Sequence, residues 1–429
     1  MGATTVILLL VGLICLGVPV GFAIMVTAGL LMWFEGVNLL VLPVQMFSGT
    51  NNLVLLAIPL FILMGELMGA TSISERLISL ASALVGWIRG GLSHVNVVTS
   101  MFMAEMSGSA VADAAVMSKI FVPQMAAKGY PRSFAAAITA VSATLGIIIP
   151  PSIPMVLYAV SATGVQTPNG PIVVSISDLF LAGIGPGLLL GAAFMVTAYI
   201  FARRENHPRD VDFAVPTLWH AFRRAFVPLL IPVIVVGGLI SGEFTATEAS
   251  SIGVAVALLF GFVLSRDLTL PKLYGLVVVT ARQTATVMMI IAGSAVLGQF
   301  LANEQLPQAI AGALGDVSDS FWVQMLLINL FLLVLGMFLH ASAAIIVVVP
   351  LLLPLAARMG IDPVHFGVIV CLNLGIGQQT PPVASVLLTV CSATGLRIEE
   401  VMVYGKWFIA TMFAVLMIVS FVPVISLWG

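Results

Sequence analysis

Long apolar runs, interrupted by glycine, proline and small polar residues, make up almost the whole chain. Thr5 to Trp33, Val227 to Ile240 and Val403 to Leu427 reach or approach the roughly 20 residues that a helix needs to cross a hydrocarbon core. The pattern predicts an all-α integral membrane protein embedded in a lipid bilayer. The N-terminal run has no basic stretch before it and is far longer than a signal-peptide core, so it is read as the first membrane helix. Composition closes off a soluble fold: 60% of the residues are hydrophobic and 8% are charged, where soluble domains carry about 25% charged residues.

An internal repeat organises these runs. Slid by 231 residues, the sequence places Pro123 on Pro354, Gly129 on Gly360, Gly146 on Gly377, and Pro150-Pro151 on Pro381-Pro382. Ser161 to Gly164 falls on Ser392 to Gly395, both reading Ser-Ala-Thr-Gly. Residues that set backbone geometry recur, so both halves are expected to break their helices at matched places, as secondary transporters do. The first repeat, residues 1–204, divides into spans Val6 to Trp33 and Leu53 to Met68, an arm Ser72 to Gly90 and a hairpin Leu92 to Ala126. A broken helix Ser133 to Ala162 and a span Leu179 to Ala202 complete it. Residues 205–242 form a basic loop and a linking helix, Ala225 to Ile240, and residues 243–429 the second repeat. The odd linking helix makes the two repeats inverted in topology.

Charge orients this layout. Arg76, Arg89, Lys128, Arg132, the stretch Arg203 to Arg224, Arg266, Lys272, Arg397 and Lys406 fall on one face, and only Arg358 falls clearly on the other. Glu35, Asp178, Glu243, Glu304, Asp316 and Asp319 lie opposite. The basic face is therefore expected in the cytoplasm. Arg203 to Arg224 is read as an orienting, lipid-facing loop, and no nucleic-acid partner is expected.

Candidate chemistry gathers at two symmetry-related places. The hairpin arms Leu92 to Met106 and Val111 to Ala126 hold about 15 residues each, short for a crossing, and their tip reads Ser107-Gly-Ser-Ala-Val-Ala-Asp113. Small and polar residues at membrane depth predict a re-entrant hairpin facing protein or a wet cavity. Its counterpart is Met325 to Ala357, with His340 and Ser342 at the tip. The broken helices carry Ser142-Ala-Thr-Leu-Gly146-Ile-Ile-Ile-Pro150-Pro-Ser152 and Asn373-Leu-Gly-Ile-Gly377-Gln378-Gln379-Thr380-Pro-Pro382. Proline and glycine there free backbone carbonyls, which with hydroxyls suit hard cations, while half-helix N-termini suit anions. Each tip beside its broken helix is a candidate cation site. Ser109, Asp113, Ser152, Ser342 and Thr380 are the candidate substrate contacts between the two sites.

These residues resemble the large membrane subunit of TRAP (tripartite ATP-independent periplasmic) transporters, within the wider ion transporter superfamily. The resemblance spans nearly the whole chain and is carried by Ser107 to Ala114, Ile149-Pro-Pro-Ser-Ile-Pro154, Phe244-Thr-Ala-Thr-Glu-Ala249, Gly336-Met-Phe338 and Thr380-Pro-Pro-Val383. It implies an elevator-type transporter importing C4-dicarboxylates, sialic acid or other sugar acids on a sodium gradient. It implies as partners a small four-helix membrane subunit and a periplasmic substrate-binding protein, in the cytoplasmic (inner) membrane of a bacterium or archaeon. Carried over, the first sodium site uses Ser107, Gly108, Ser109 and the break from Gly146 to Pro150. The second uses His340 to Ser342 and Gly377, Gln378 and Thr380. His340 stands where the family leads one to expect an acidic residue, and Gln378-Gln379 where it leads one to expect an apolar pair. A neutral imidazole is a poor sodium ligand, so proton coupling through His340 is the alternative there.

Plainer roles stand beside these. Small residues at the tip also suit close helix packing, Asp113 could pair with Lys119 inside the hairpin, Glu66 could reach to the interface, and Asn373 and the glutamines could satisfy unwound backbone. Cys15, Cys371 and Cys391 show no metal or disulfide spacing and are read as packing thiols. No nucleophile elbow or His-Glu-x-x-His motif points to an enzyme, and polar residues confined to two points suit a carrier better than a channel. A stand-alone sodium- or proton-coupled anion symporter is the rival function. No arginine is placed at the presumed substrate site.

Overall fold

The computed structural model describes all residues except 1–4, 6–8, 11, 15, 108–109, 168–169, 306–317, 319 and 428–429, and leaves aside the side chains of 104–107, 167 and 302. Among the described residues eight helices are long and apolar enough to cross a membrane, from Leu53–Ala70 to Ile398–Phe421. Their ends follow from local sequence. Ser175 caps Ile176–Arg204, with Asp178 in the first turn and Arg203 and Arg204 in the last, each charge complementing the helix dipole. Asp362 accepts from Val364 N and His365 N ahead of Pro363–Gly377, and Pro363 occupies the first position, where no N–H is needed. Thr245 and Glu248 form a reciprocal capping box at Ala246–Leu259. A small antiparallel ribbon pairs Gln166 with Pro171 and Thr167 with Gly170.

Three expectations from sequence change. The run from Val6 to Trp33 is not one helix. Gly17, at φ +83°, turns the chain, donating to Ile14 O while Val18 N donates to Leu13 O, and Pro19 then opens Val20–Phe34. The linking helix is Val215–Ile240, longer than its apolar part, because its first turns carry His220, Arg223 and Arg224. The hairpin arms are Gly91–Ser107 (17 residues) with Ala110–Ala127 (18), and Phe321–Phe338 (18) with Ala341–Arg358 (18). At 1.5 Å per residue an arm is about 27 Å long, so shortness does not separate a re-entrant hairpin from two crossings. A short helix at Val41–Thr50 is also absent from the hydrophobic pattern, because Pro43, Gln45 and Ser48 interrupt it.

The repeat is realised element by element. Ala110–Ala127 and Ala341–Arg358 start and stop 231 residues apart, and the broken helices Arg132–Ala143 with Ile153–Ala162 and Pro363–Gly377 with Ser385–Thr394 follow in step. Both Pro150–Pro151 and Pro381–Pro382 are cis. Packing between the halves is reciprocal. Val20–Phe34 lies on Leu270–Asn303 while Ala246–Leu259 lies on Ala57–Ala70. In the same way Ala110–Ala127 packs on Ser385–Thr394, and Ala341–Arg358 on Ile153–Ala162. Such exchange is what a two-fold relation between repeats produces, and the fold is one of two inverted-topology repeats.

These pairs sort into a framework and a central unit. The framework holds the first two helices of each repeat, with Ile73–Val85 and Val215–Ile240 against it. The central unit holds both hairpins, both broken helices, Ile176–Arg204 and Ile398–Phe421. Burial singles out the broken helices: every residue from Phe134 to Ala143 and from His365 to Gly377 is buried. A helix apolar all round sits at the centre of its protein, so the two breaks lie inside the molecule.

Candidate functional site

The second break is the more closely built. Gly336, at the end of the hairpin arm Phe321–Phe338, meets Gly377 backbone to backbone. A Cβ at Gly377 would lie 2.5 Å from Gly336 C, and one at Gly336 would lie 3.2 Å from Gly377 Cα. No side chain fits between them. The chain then leaves the helix through Gln378–Pro382 and resumes at Ser385, with Val386 N donating to Gln378 O and the Thr380 hydroxyl to Ile376 O at 2.9 Å. Gln378 is 1% exposed, and among the described residues neither its side-chain nitrogen nor its oxygen has a partner. Gln379 donates to Ala140 O of the first broken helix at 2.6 Å, so it satisfies backbone of the other repeat. Asn373 donates to Asn329 O and Oδ1, both at 2.9 Å, tying the broken helix to the hairpin arm.

The tip of that hairpin opens on a cavity. His340 caps Ala341–Arg358, its carbonyl accepting from Ala343 N and Ala344 N at 3.0 Å, and Ser342 is buried in the first turn. The cavity, of about 530 Å³, runs between His340 and Ala343 on the central unit and Pro19–Phe22, Ala285, Thr286, Met289 and Ile290 on the framework. A similar cavity of about 540 Å³ lies between the two parts at Asn52–Val54, Val160, Thr163, Ser175–Ser177 and Thr245–Thr247.

At the first break the helix tightens into a 3₁₀ turn, Thr144–Ile147, that contains Gly146, and the chain passes through buried Pro150 and Pro151 before Ile153. Ser152 spends its proton on Ile147 O at 2.6 Å, satisfying a carbonyl that the break frees. Ser142 Oγ is buried with no partner among the described residues. The hairpin arm Gly91–Ser107 packs on this turn. Gly108 and Ser109 lie outside the described residues, as do the side chains of Ser107 and Glu105. Asp113 is buried at the start of Ala110–Ala127, whereas Lys119 is exposed. Six residues apart on a helix, they point to different sides.

Sequence reasoning missed two groups. Arg282 and Gln283 are exposed on Leu270–Asn303, one turn before Thr286 at the cavity wall, and Gln283 Nε2 donates to Glu66 Oε1 at 2.8 Å. Arg282 is the lone charge between Lys272 and Glu304, a signal that the sequence did contain. The second group pins residues 205–210 to the base of the first hairpin through Asp210 and His207, whose side chains turn inward while Arg209 stays exposed. Asp210 Oδ2 accepts from Leu92 N and from Tyr130 OH, each at 2.7 Å, with Lys128 Nζ 4.0 Å from Oδ1. Burial and the Asp210 carboxylate push the Tyr130 hydroxyl well above its ordinary pKa. The His207 ring lies tilted against Tyr130, 4.6 Å between centroids, and 3.2 Å from Glu205 Oε2, and burial holds its pKa below the usual imidazole value although Glu205 pulls the other way.

Reciprocal repeats, two interior breaks and a hairpin seated on each describe a carrier. The sequence model of the tripartite ATP-independent periplasmic transporter, DctM component, matches residues 7–425. The chain belongs to this DctM family. It is 40% identical over 380 residues to the sialic acid TRAP transporter large permease protein SiaM of Vibrio cholerae, covering 88% of this chain and 87% of that one. It is 33% identical over 432 residues to the C4-dicarboxylate TRAP transporter large permease protein DctM of Rhodobacter capsulatus, covering 100% and 98%. The fold also matches the crystal structure of the YdaH transporter of Alcanivorax borkumensis, with a TM-score of 0.59 at 16% identity over 90% of this chain and 86% of that one. As a DctM-family protein the chain is a multi-pass large permease subunit and not an enzyme.

Proposed function

We propose that this DctM-family subunit imports a small organic acid, of the C4-dicarboxylate or sugar-acid class, coupled to sodium. It works in the cytoplasmic membrane with a small four-helix subunit and a periplasmic binding protein. The observation that carries the reading is the pair of interior helix breaks, each with a hairpin packed on it and each with a buried polar group unpartnered among the described residues, Ser142 at the first and Gln378 at the second. Oxygens of this kind replace the hydration shell of a hard cation, and half-helix ends orient an anion. The hairpins are re-entrant in this reading, and the central unit carries substrate past the framework, the two cavities between them being the faces that slide. His340, at the rim of one cavity, is the group through which a proton would act at the second site. The test is uptake of labelled dicarboxylates and sialic acid into proteoliposomes holding both membrane subunits, under a sodium or a proton gradient. Sodium-driven uptake that needs the binding protein is expected. Uptake without the binding protein would overturn the tripartite reading in favour of a stand-alone symporter.

A further inference from the structure

The first hairpin is not filled like the second. Its arm Gly91–Ser107 runs beside Arg132–Ala143, and Asn96 Nδ2 donates to Thr139 Oγ1 at 2.6 Å across the contact. Thr139 in turn donates to Ala135 O. One turn further along the arm, on the same side as Asn96, come Thr99 and Ser100, and one turn beyond Thr139 comes Ser142. All five side chains are at most 2% exposed. Four of their polar atoms, Asn96 Oδ1, Thr99 Oγ1, Ser100 Oγ and Ser142 Oγ, have no partner among the described residues. The next turn of the broken helix is the 3₁₀ segment Thr144–Ile147, on which the same arm packs. At the other end stands the hairpin base, where the 3%-exposed Asp210 carboxylate holds Leu92 N. The positions 231 residues on are Leu327, Leu330, Phe331, Val370 and Asn373, so this row of hydroxyls is not repeated in the second hairpin, whose arm meets its broken helix through the bonded pair Asn329 and Asn373.

A helical Ser or Thr ordinarily returns its hydroxyl proton to the carbonyl one turn back, as Thr139 does. Thr99, Ser100 and Ser142 do not. Leaving buried hydroxyls unpaired is unfavourable, and inside a membrane protein such groups gather where water or an ion passes. We propose that this seam is the passage by which the coupling cation, with water as its remaining ligands, moves between the first break and the cytoplasmic base of the hairpin at Asp210. The proposal rests on the sodium-coupled reading above, and it concerns the cation held at the first break.

The test uses the reconstituted membrane subunits with their binding protein. Thr99→Val with Ser100→Ala is expected to slow sodium-driven uptake and sodium release into the lumen about tenfold or more, while the external sodium concentration for half-maximal uptake stays as in the wild type. Thermal stability of the pair variant is expected to hold or rise, since unpaired hydroxyls are removed. Independently, Ser100→Cys in a background with the native cysteines replaced should react with a small cationic methanethiosulfonate from the cytoplasmic side, and sodium should slow that reaction. A pair variant with wild-type uptake, or a Ser100→Cys variant that transports yet stays inert to the reagent from that side, would show that the seam is dry packing and overturn the proposal. A wild-type protein that does not use sodium would instead remove the functional reading, and the passage with it.

Discussion

At the first break the hairpin arm carries buried Asn96, Thr99 and Ser100 beside Thr139 and Ser142, whereas at the second the matching positions are Leu327, exposed Leu330 and Phe331, and it is Asn329 of that arm that meets Asn373. The backbone plan is shared to the residue in Ala110–Ala127 and Ala341–Arg358, so the difference lies in what fills it. The second unit closes by contact, Gly336 on Gly377, and its buried polar side chains, Asn329, Asn373 and Ser420, bond to one another. The first unit leaves Asn96 Oδ1, Thr99 Oγ1, Ser100 Oγ and Ser142 Oγ unpaired along one helix contact among the described residues, whereas in the second the unpaired atoms include Asn373 Oδ1 and the Gln378 amide at the break itself. Inverted repeats supply two equivalent breaks, and the side chains around each then differ.

The sharpest way to break this comparison is at the close contact. Gly377→Ala would force Gly336 away and is expected to abolish transport and cost about 1–3 kcal/mol of stability, as overpacking does. Gly375→Ala, whose Cβ would meet only Ile147 Cδ1 at 3.4 Å and Thr144 Cβ at 3.9 Å, should fall within about 0.5 kcal/mol of the wild type. Thermal unfolding of the two variants separates a backbone contact from a general intolerance of this helix.

Next in size are the carboxylates at the bases. Asp210→Ala leaves Leu92 N and the Tyr130 hydroxyl unpaired in a buried site and is expected to cost about 2–3 kcal/mol. Asp362→Ala removes an exposed helix cap in the second half and should cost about 1 kcal/mol. Equal losses would contradict the picture of a pinned first base and a merely capped second helix.

A smaller effect should appear with pH at the first base. Burial depresses the His207 pKa, so the unfolded chain takes up a proton more readily than the folded one. Stability from this residue is present above about pH 6.5 and is lost as pH falls from there through the folded value. His207→Phe, which keeps a ring against Tyr130 and Phe134, should flatten that acid limb of thermal stability.

Much of this was legible in the sequence because glycine and proline act locally. The coincidence of Gly146 with Gly377 and of the two Pro-Pro pairs located both breaks, and the repeat then located both hairpins. What hydropathy could not reveal depends on partners distant in the chain. Asp210 reads as one acid in a basic stretch, and only the fold brings it to Leu92 and Tyr130. Gln379 reads as a residue of its own break, yet it bonds Ala140 of the other repeat. The turn at Gly17 was hidden by the unbroken apolar character on both sides of it. Nothing in the sequence marks Thr99 and Ser100, because whether a helical hydroxyl is paired depends on the packing around it.

Whether each break binds a cation is decided by the sodium dependence of uptake, measured side by side for the wild type, Ser142→Ala and Gln378→Ala. Loss of a ligand from either site should raise the sodium concentration for half-maximal uptake by about tenfold, with substrate affinity unchanged. Sodium curves for both variants that superimpose on the wild type would mean that neither break binds the coupling cation.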